Sequence, residues 1–348
     1  MATIVKRGNK YQAQVCVRGV RISKSFHLRA DAKKWALQQE IAIETGERVA
    51  HEAITLAELM QRYERQVAPT KSNLKYDRVK CRWWAKSELG PLLLDDLSAK
   101  DFEAFQERRL QEVASSSVRR EFILLNVALN WGVRKGYLAS NPLQGVKRAK
   151  DAPHRERTAS DEEIQKICAA AGWDPKTPPV SQTARVAAAF LLSCLTGMRG
   201  GEILQIRSEW IDGNVLHLPA TATKTRLARD VALQDSAVEL IRQVQSLGLG
   251  EPIFAVNSAN KDAIFRKLRD RAGLREERDA AGNVIREALH FHDGRATFCT
   301  WAASPGKNGG APRLDVLALA RQLGHGDLKM LQKYYRPSAK ELADRLDE

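Results

Sequence analysis

The sequence predicts an α+β chain that is mainly helical: a small N-terminal β-sheet with one helix, a helical bundle, and a larger, mostly helical region containing a β-hairpin. Three observations carry this. The first 27 residues alternate apolar and polar positions around turn signals at Gly8-Asn9 and Gly19, the pattern of short antiparallel strands. Residues 55–142 hold four helical segments with start or stop signals. Beyond 159 the helical pattern is interrupted by two apolar runs, VLHLPA and LARDVAL, on either side of a Thr/Lys/Arg tip, which reads as a hairpin. A chain of 348 residues can fill two or three cores.

The elements follow in order. After three strands, ADAKKWALQQEIAIET (30–45) forms an amphipathic helix ended by Gly46. His51 to Thr55 is a linker. Thr55 caps LAELMQRYERQV, a second helix spans 71–88, and Ser98 caps AKDFEAFQERRLQE. Ser115-Ser116-Ser117 precede the long helix VRREFILLNVALNWGVRKG, which stops at Gly136 and Asn141-Pro142. Trp83 and Trp131 read as core. Residues 143–158 lack an apolar period and carry seven charged side chains, the composition of a basic linker. Ser160 opens an acid-rich helix at 161–171, followed by the buried helix ARVAAAFLLSCLTG. Gly200 and Gly201 would weaken a helix by about 1 kcal/mol each, so they point to backbone passing close to a partner. A helix at 235–247, the apolar IFAV, the basic helix DAIFRKLRDRAGL and a loop tip at Asp279–Asn283 lead to HFHDGRATFCTWAA, the loop SPGKNGGAP at 304–312, and LDVLALARQLGHGDLKMLQKYY. The expected domains are 1–50, 54–145 and 157–348.

Charge narrows the partners. Lys plus Arg is 56 against 42 Asp plus Glu, a net +14 with a pI of 9.7, which favours nucleic acid first and an anionic membrane second. Residues 1–27 hold six basic side chains and no acid. Lys6, Arg7, Arg18, Arg21 and Lys24 are therefore candidate DNA contacts, with Arg119 and Arg120 of the bundle. Other bundle cations (Lys71, Lys75, Arg78, Lys80, Arg82) face phosphates or solvate the surface. No apolar run reaches 18 residues and no leader pattern opens the chain, so a soluble, cytoplasmic protein without membrane partners is expected. The five cysteines, Cys16, Cys81, Cys168, Cys194 and Cys299, read as reduced core residues. His290, His292 and Cys299 are near one another in sequence, but no CxxC or HExxH pattern supports a metal, and none is expected.

The chemistry-bearing residues gather late in the chain. His292 and Arg295 are three apart, which on a helix places them on one face. His325 follows a Leu-Gly turn, and Tyr334 lies nine residues further on. Leu328, Leu331 and Tyr335 share a core-facing stripe, which leaves Tyr334 on another face and favours it over Tyr335 as nucleophile. Upstream, Arg199 follows a helix-ending Gly197, Glu202 is one turn on, and Lys224 sits at the hairpin tip, with no other lysine between Lys176 and Lys261. Guanidiniums to neutralise non-bridging oxygens, imidazoles to move protons and a phenol to attack make a set suited to a phosphodiester.

In this order and spacing, Arg199, Lys224, His292-x-x-Arg295, Leu-Gly-His325 and Tyr334 resemble the tyrosine recombinases, or phage integrases. The resemblance covers 158–348. SSSVRREFILLNVALNWGVRKGYLASNP resembles the family's core-binding domain, and the N-terminal sheet its arm-type DNA-binding domain. It implies that Arg199 and Arg295 clamp the scissile phosphate, Lys224 protonates the leaving 5′ oxygen, His292 and His325 assist, and Tyr334 forms a 3′-phosphotyrosine, with Glu202 in support. Phosphotyrosine conserves bond energy, so rejoining needs no ATP, metal or other cofactor. It further implies double-stranded DNA as partner, a homotetramer on DNA whose C-terminal tail helix docks in trans or in cis, and accessory DNA-bending or directionality proteins. The setting is the bacterial cytoplasm or nucleoid. Gly294 stands where the family usually has a bulky apolar residue, and Ala296 where it often has His; both bear on the geometry around Arg295. Integration or excision of a phage or mobile element is the leading outcome. Inversion or resolution by the same chemistry, a relaxing topoisomerase, and a non-catalytic DNA-binding regulator of the same fold are the alternatives.

Overall fold

The computed structural model describes residues 2–7, 10–17, 20–45, 53–71, 74–151, 155, 157–223, 226–305 and 312–324, without the side chains of 7, 20–22 and 42–45. The chain divides into two units, Met1–His154 and Arg155–Glu348.

In the first unit, alternation produces the expected sheet. Strands β1 (Ala2–Arg7), β2 (Lys10–Val17) and β3 (Val20–Phe26) pair antiparallel in that order, and α1 (Arg29–Thr45) covers one face. Ala13 and Val15, two apart on β2, meet Ala32 and Ala36 of α1. Cys16, between them and the strand end, points to the other face and is exposed, so it is not the core residue expected from its apolar neighbours; the other four cysteines are buried.

The bundle follows its caps. Thr55 and Glu58 form a capping box on α2 (Leu56–Gln66), and α3 (Leu74–Ala85) is shorter than the sequence suggested. Asp101 accepts from the Ser98 N–H at 2.8 Å to start α4 (Ala99–Glu112). In α5 (Ser115–Lys135) the three serines form the first turn instead of preceding it, Ala114 is the N-cap, and left-handed Gly136 (φ 80°) ends the helix. Trp84, Phe105 and Phe122 stack in the core with half-buried Trp83 at its margin. Lys80 and Arg109 converge on the buried Glu121 at 2.8 and 3.1 Å.

The segment after the bundle is less of a linker than its composition implied. Leu143 and Ala149 are buried in the bundle core. Gln106 donates to the Lys147 carbonyl at 2.9 Å and accepts from the Ala149 N–H at 3.2 Å. Backbone amides satisfied by side chains override the charge signal.

The second unit is built on α7 (Gln182–Thr196), whose apolar surface on every side marks it for burial. Around it pack α6 (Asp161–Ala170), the four-residue α8 (Gly200–Ile203), α9 (Asp235–Gln245), α10 (Ser258–Arg271) and α11 (Asp293–Ala303). The hairpin is β5 (Val215–Leu218) against β6 (Arg229–Ala232), extended by β4 (Ile211–Asp212) into three strands. Strands β7 (Glu277–Arg278) and β8 (Val284–Arg286) flank the loop tip, and α12 (Val316–Leu323) packs on α11 and β6. Among the described residues no helix is long and apolar enough to cross a membrane.

Candidate active site

The site forms where α7 ends. Gly197 takes a left-handed conformation (φ 70°), and a Cβ there would lie 2.5 Å from Phe298 and 2.6 Å from Leu323. Glycine therefore serves both the turn and the close approach of α11 and α12. Two residues on, Arg199 is the N-cap of α8. The buried Glu202 accepts from the Arg199 N–H and from its Nη1, both at 3.0 Å, as the one-turn spacing suggested.

Arg295 enters from α11. It is 4 % exposed, and its Nη1 and Nη2 donate to the carbonyls of Gly197 (2.6 Å) and Leu323 (2.9 Å). Burial, with Arg199 nearby, lowers its pKa to about 10, which leaves the guanidinium charged at neutral pH. Gly294 explains the departure from the family pattern: a Cβ there would meet Cys194 Sγ and Phe190 at 3.1 Å, so its absence lets α11 sit close on α7.

His292 stands one turn before Arg295: it is the N-cap of α11, its own backbone is helical (φ −70°, ψ −17°), and its carbonyl accepts from the Arg295 N–H at 3.1 Å. Arg295 is buried, while part of the His292 ring reaches the surface. Its imidazole pKa lies below the ordinary value, through desolvation first and then Arg295, with Arg199 and Lys261 adding to the effect. The turn leading to it is held by Asp293, which accepts from the His290 N–H at 2.7 Å and from Arg155 Nε and Nη2 at 3.0 and 2.8 Å.

Sequence reasoning passed over Arg229. Its Nη1 and Nη2 reach the two Glu202 oxygens at 3.1 and 2.7 Å, and its Nε the Gln322 carbonyl at 3.3 Å. Gln322 in turn donates to the carbonyls of Thr196 and Ala232 at 3.1 and 3.0 Å. The available signal was strand alternation, because Arg229 shares the inward face of β6 with Val231, and Leu233 just beyond the strand continues the pattern. Burial raises the Glu202 pKa, but the hydrogen bonds from Arg229 and Arg199 outweigh it and the net shift is downward. A second overlooked residue is Lys261, whose Nζ lies 4.4 Å from the centroid of the Phe291 ring.

Thus Arg199, Glu202, His292 and Arg295 are brought together. Lys224, His325 and Tyr334 lie outside the described residues, although the hairpin neck closes from Thr223 Oγ1 to the Leu227 carbonyl (2.9 Å) and Gly324 (φ 64°) ends α12 just before His325. Among the other candidates, Lys6 and Lys24 are exposed, their ammoniums 5.9 and 5.6 Å from the rings of Tyr11 and Phe26. Arg119 donates to the Ala149 carbonyl at 3.2 Å, and Arg120 is exposed. The side chains of Arg7 and Arg21, and all of Arg18, lie outside the described residues. No cluster of three or more His, Cys, Asp or Glu suited to a metal occurs among the described residues.

Residues 158–341 match the model of the phage integrase family. A putative integrase/recombinase of Haemophilus influenzae is 30 % identical over 98 % of this chain and 89 % of its own length. The integrase of Escherichia phage HK022 is 25 % identical over 77 % of this chain and 78 % of its own. Among solved structures, a lambda integrase tetramer bound to a Holliday junction has a TM-score of 0.66 at 19 % identity, covering 96 % of this chain and 94 % of that one. With this match spanning the turn that joins Arg199, Glu202 and Arg295, the chain belongs to the phage integrase family, the tyrosine recombinases.

Proposed function

We propose that Arg199 and Arg295 clamp the scissile phosphate in a site-specific recombinase that cleaves and rejoins duplex DNA through a 3′-phosphotyrosine, serving integration or excision of a phage or mobile element. The observation that supports this most is the convergence of the two arginines, distant in sequence, on one turn: Arg295 donates to the carbonyl of Gly197, and Arg199 follows two residues later. Their charges are only partly answered by Glu202, so the site favours an anion.

The chemistry assigned to the site runs as follows. The Tyr334 oxygen bonds to phosphorus, and its proton passes to the imidazole of His292 or His325. The bond to the 5′ oxygen breaks, and that oxygen takes a proton from the Lys224 ammonium. Attack of a 5′-hydroxyl on the phosphotyrosine reverses the sequence and releases the phenol. His292, with its lowered pKa, is neutral at pH 7 and able to accept a proton. The two arginines stabilise charge on the non-bridging oxygens throughout.

The N-terminal sheet, residues 1–50, is assigned to arm-type DNA sites and residues 54–145 to the core site, with 157–348 as the catalytic domain. A homotetramer on double-stranded DNA follows the assembly of the lambda integrase on its junction. The C-terminal tail would dock on a neighbour, accessory DNA-bending or directionality proteins would set the outcome, and the bacterial cytoplasm or nucleoid is the setting.

The test is covalent trapping. The protein is incubated in EDTA with a nicked suicide substrate carrying its site, beside Tyr334→Phe and Tyr335→Phe. A slow-migrating adduct lost only with Tyr334→Phe is expected. Loss only with Tyr335→Phe would move the nucleophile by one residue. Tight binding to a verified site with no adduct would establish a DNA-binding regulator.

A further inference from the structure

Lys261 lies in the first turn of α10, which Asn257 caps by accepting from the Asn260 N–H at 2.8 Å. A lysine there would ordinarily extend into water. Instead its side chain is only 11 % exposed. Its carboxylate partner, Asp262 at 2.9 Å, is 64 % exposed, so solvent screens the pair. The ammonium also lies over the Phe291 ring, a cation–π contact. One screened carboxylate and one ring face leave an ammonium hydrogen available.

The position of this ammonium relative to the catalytic residues carries the inference. A Cβ on Gly200 would lie 2.9 Å from Lys261 Nζ and 2.8 Å from Phe291. Gly200 follows Arg199 and Phe291 precedes His292, so the ammonium sits between the chain neighbours of two residues of the site. A hollow of about 330 Å³ opens there, lined by Gly200, Lys261, Arg266, Arg269, His290 and His292 among others. Asp262 is the one carboxylate of that lining, and Arg269 is itself paired with Asp270 at 2.7 Å. The hollow is thus cationic and continuous with the edge of the site that His292 occupies.

We propose that Lys261 is a further phosphate-binding residue of the reaction, its ammonium meeting a non-bridging oxygen of the scissile phosphate or of a phosphate next to it on the same strand. This rests on the recombinase reading above. Nothing in the Arg, Lys, His-x-x-Arg, His, Tyr pattern assigns a lysine on this helix.

The experiment compares wild type, Lys261→Met and Lys261→Arg in single-turnover cleavage of suicide substrates. The substrates carry an ordinary phosphate, or a neutral methylphosphonate at the scissile position or at either flanking position. Methionine retains most of the buried stem, and circular dichroism confirms the fold; if Lys261→Met unfolds, Lys261→Gln replaces it. On ordinary DNA, Lys261→Met should slow cleavage on the order of 10- to 100-fold, and Lys261→Arg should recover most of the rate. At the one position where the lysine meets the backbone, methylphosphonate should shrink the deficit to under about threefold, because the charge it answers is gone. Equal rates for Lys261→Met and wild type on ordinary DNA would overturn the proposal. So would a deficit that persists on every methylphosphonate substrate, the mark of a space-filling role. Wild-type adduct on ordinary DNA, run in the same series, tests the recombinase reading by itself; without it the proposal falls together with that reading.

Discussion

Replacing Glu202 with Gln should unfasten Arg199 while leaving the shape of the turn almost unchanged. The buried carboxylate accepts from Arg199 N and Nη1, both at 3.0 Å, and from Arg229 Nη1 and Nη2 at 3.1 and 2.7 Å. An amide keeps one acceptor oxygen, turns an NH2 toward a guanidinium and leaves the two partly buried arginines without their carboxylate. Breaking a buried, hydrogen-bonded ion pair from one side costs about 3–5 kcal/mol. Hydrogen exchange read peptide by peptide is the suitable assay, because a chain of two units need not unfold in one transition. The loss should appear in α7 and α12 and spare α2 to α5. The pH dependence has a definite sign. The folded-state pKa of Glu202 lies below its ordinary 4.5, so its stabilisation is complete above that value and is lost as pH falls through the lower folded-state pKa. The difference between wild type and Glu202→Gln should be constant from pH 7 to 5 and close below. A difference under about 1 kcal/mol at pH 7, or one unchanged at pH 3, would refute the reasoning.

The neighbouring glycines of α8 should respond with opposite signs. Gly200→Ala meets Phe291 and Lys261 and should cost about 1–3 kcal/mol, whereas Gly201→Ala meets nothing within 4 Å and should gain about 0.5–1 kcal/mol; hydrogen exchange in the peptides of the second unit distinguishes them. NMR titration of the His292 ring should give a midpoint below the ordinary 6.5, and adduct formation should fall only as pH drops through that midpoint; a midpoint at or above 6.5 would contradict the desolvation described. In the bundle, Glu121→Ala removes the shared partner of Lys80 and Arg109 and should cost about 3–5 kcal/mol, read by hydrogen exchange in α3 to α5.

What the sequence revealed was local in cause. The caps at Thr55 and Ser160, the stop at Gly136 and the alternation around Ala13 and Val15 each act within a few residues, and each was legible; the structure adds Glu58 and Glu163 as the reciprocal partners of the two caps. Glu202 was found for the same reason, since its partner Arg199 is one turn away. The same glycine pair shows the limit. Composition made Gly200 and Gly201 look alike, with an outside partner expected for both, but Gly200 is pressed by the protein's own Phe291 and Lys261 and Gly201 is open. Residues 143–151 read as linker because their apolar residues are sparse, yet the Lys147 carbonyl and the Ala149 N–H are satisfied by Gln106, more than forty positions upstream, which no local pattern announces.

The part that stayed hidden is also the part that joins folding to chemistry. Arg295 is oriented by the Leu323 carbonyl, which is in place only when α12 docks. Arg229 spans the same interface, from Glu202 to the Gln322 carbonyl, and a Cβ on Gly324 would lie 2.8 Å from its side chain. The two arginines of the site are therefore fixed, directly or through Glu202, by the end of the helix that leads into His325. A change that loosens α12 should therefore disturb both arginines, and with them the proposed phosphate clamp, even if it touches neither side chain. Leu319→Ala, at a fully buried α12 position, should for this reason lower the single-turnover cleavage rate as well as stability, and a variant that loses stability at undiminished rate under folding conditions would show the two to be independent.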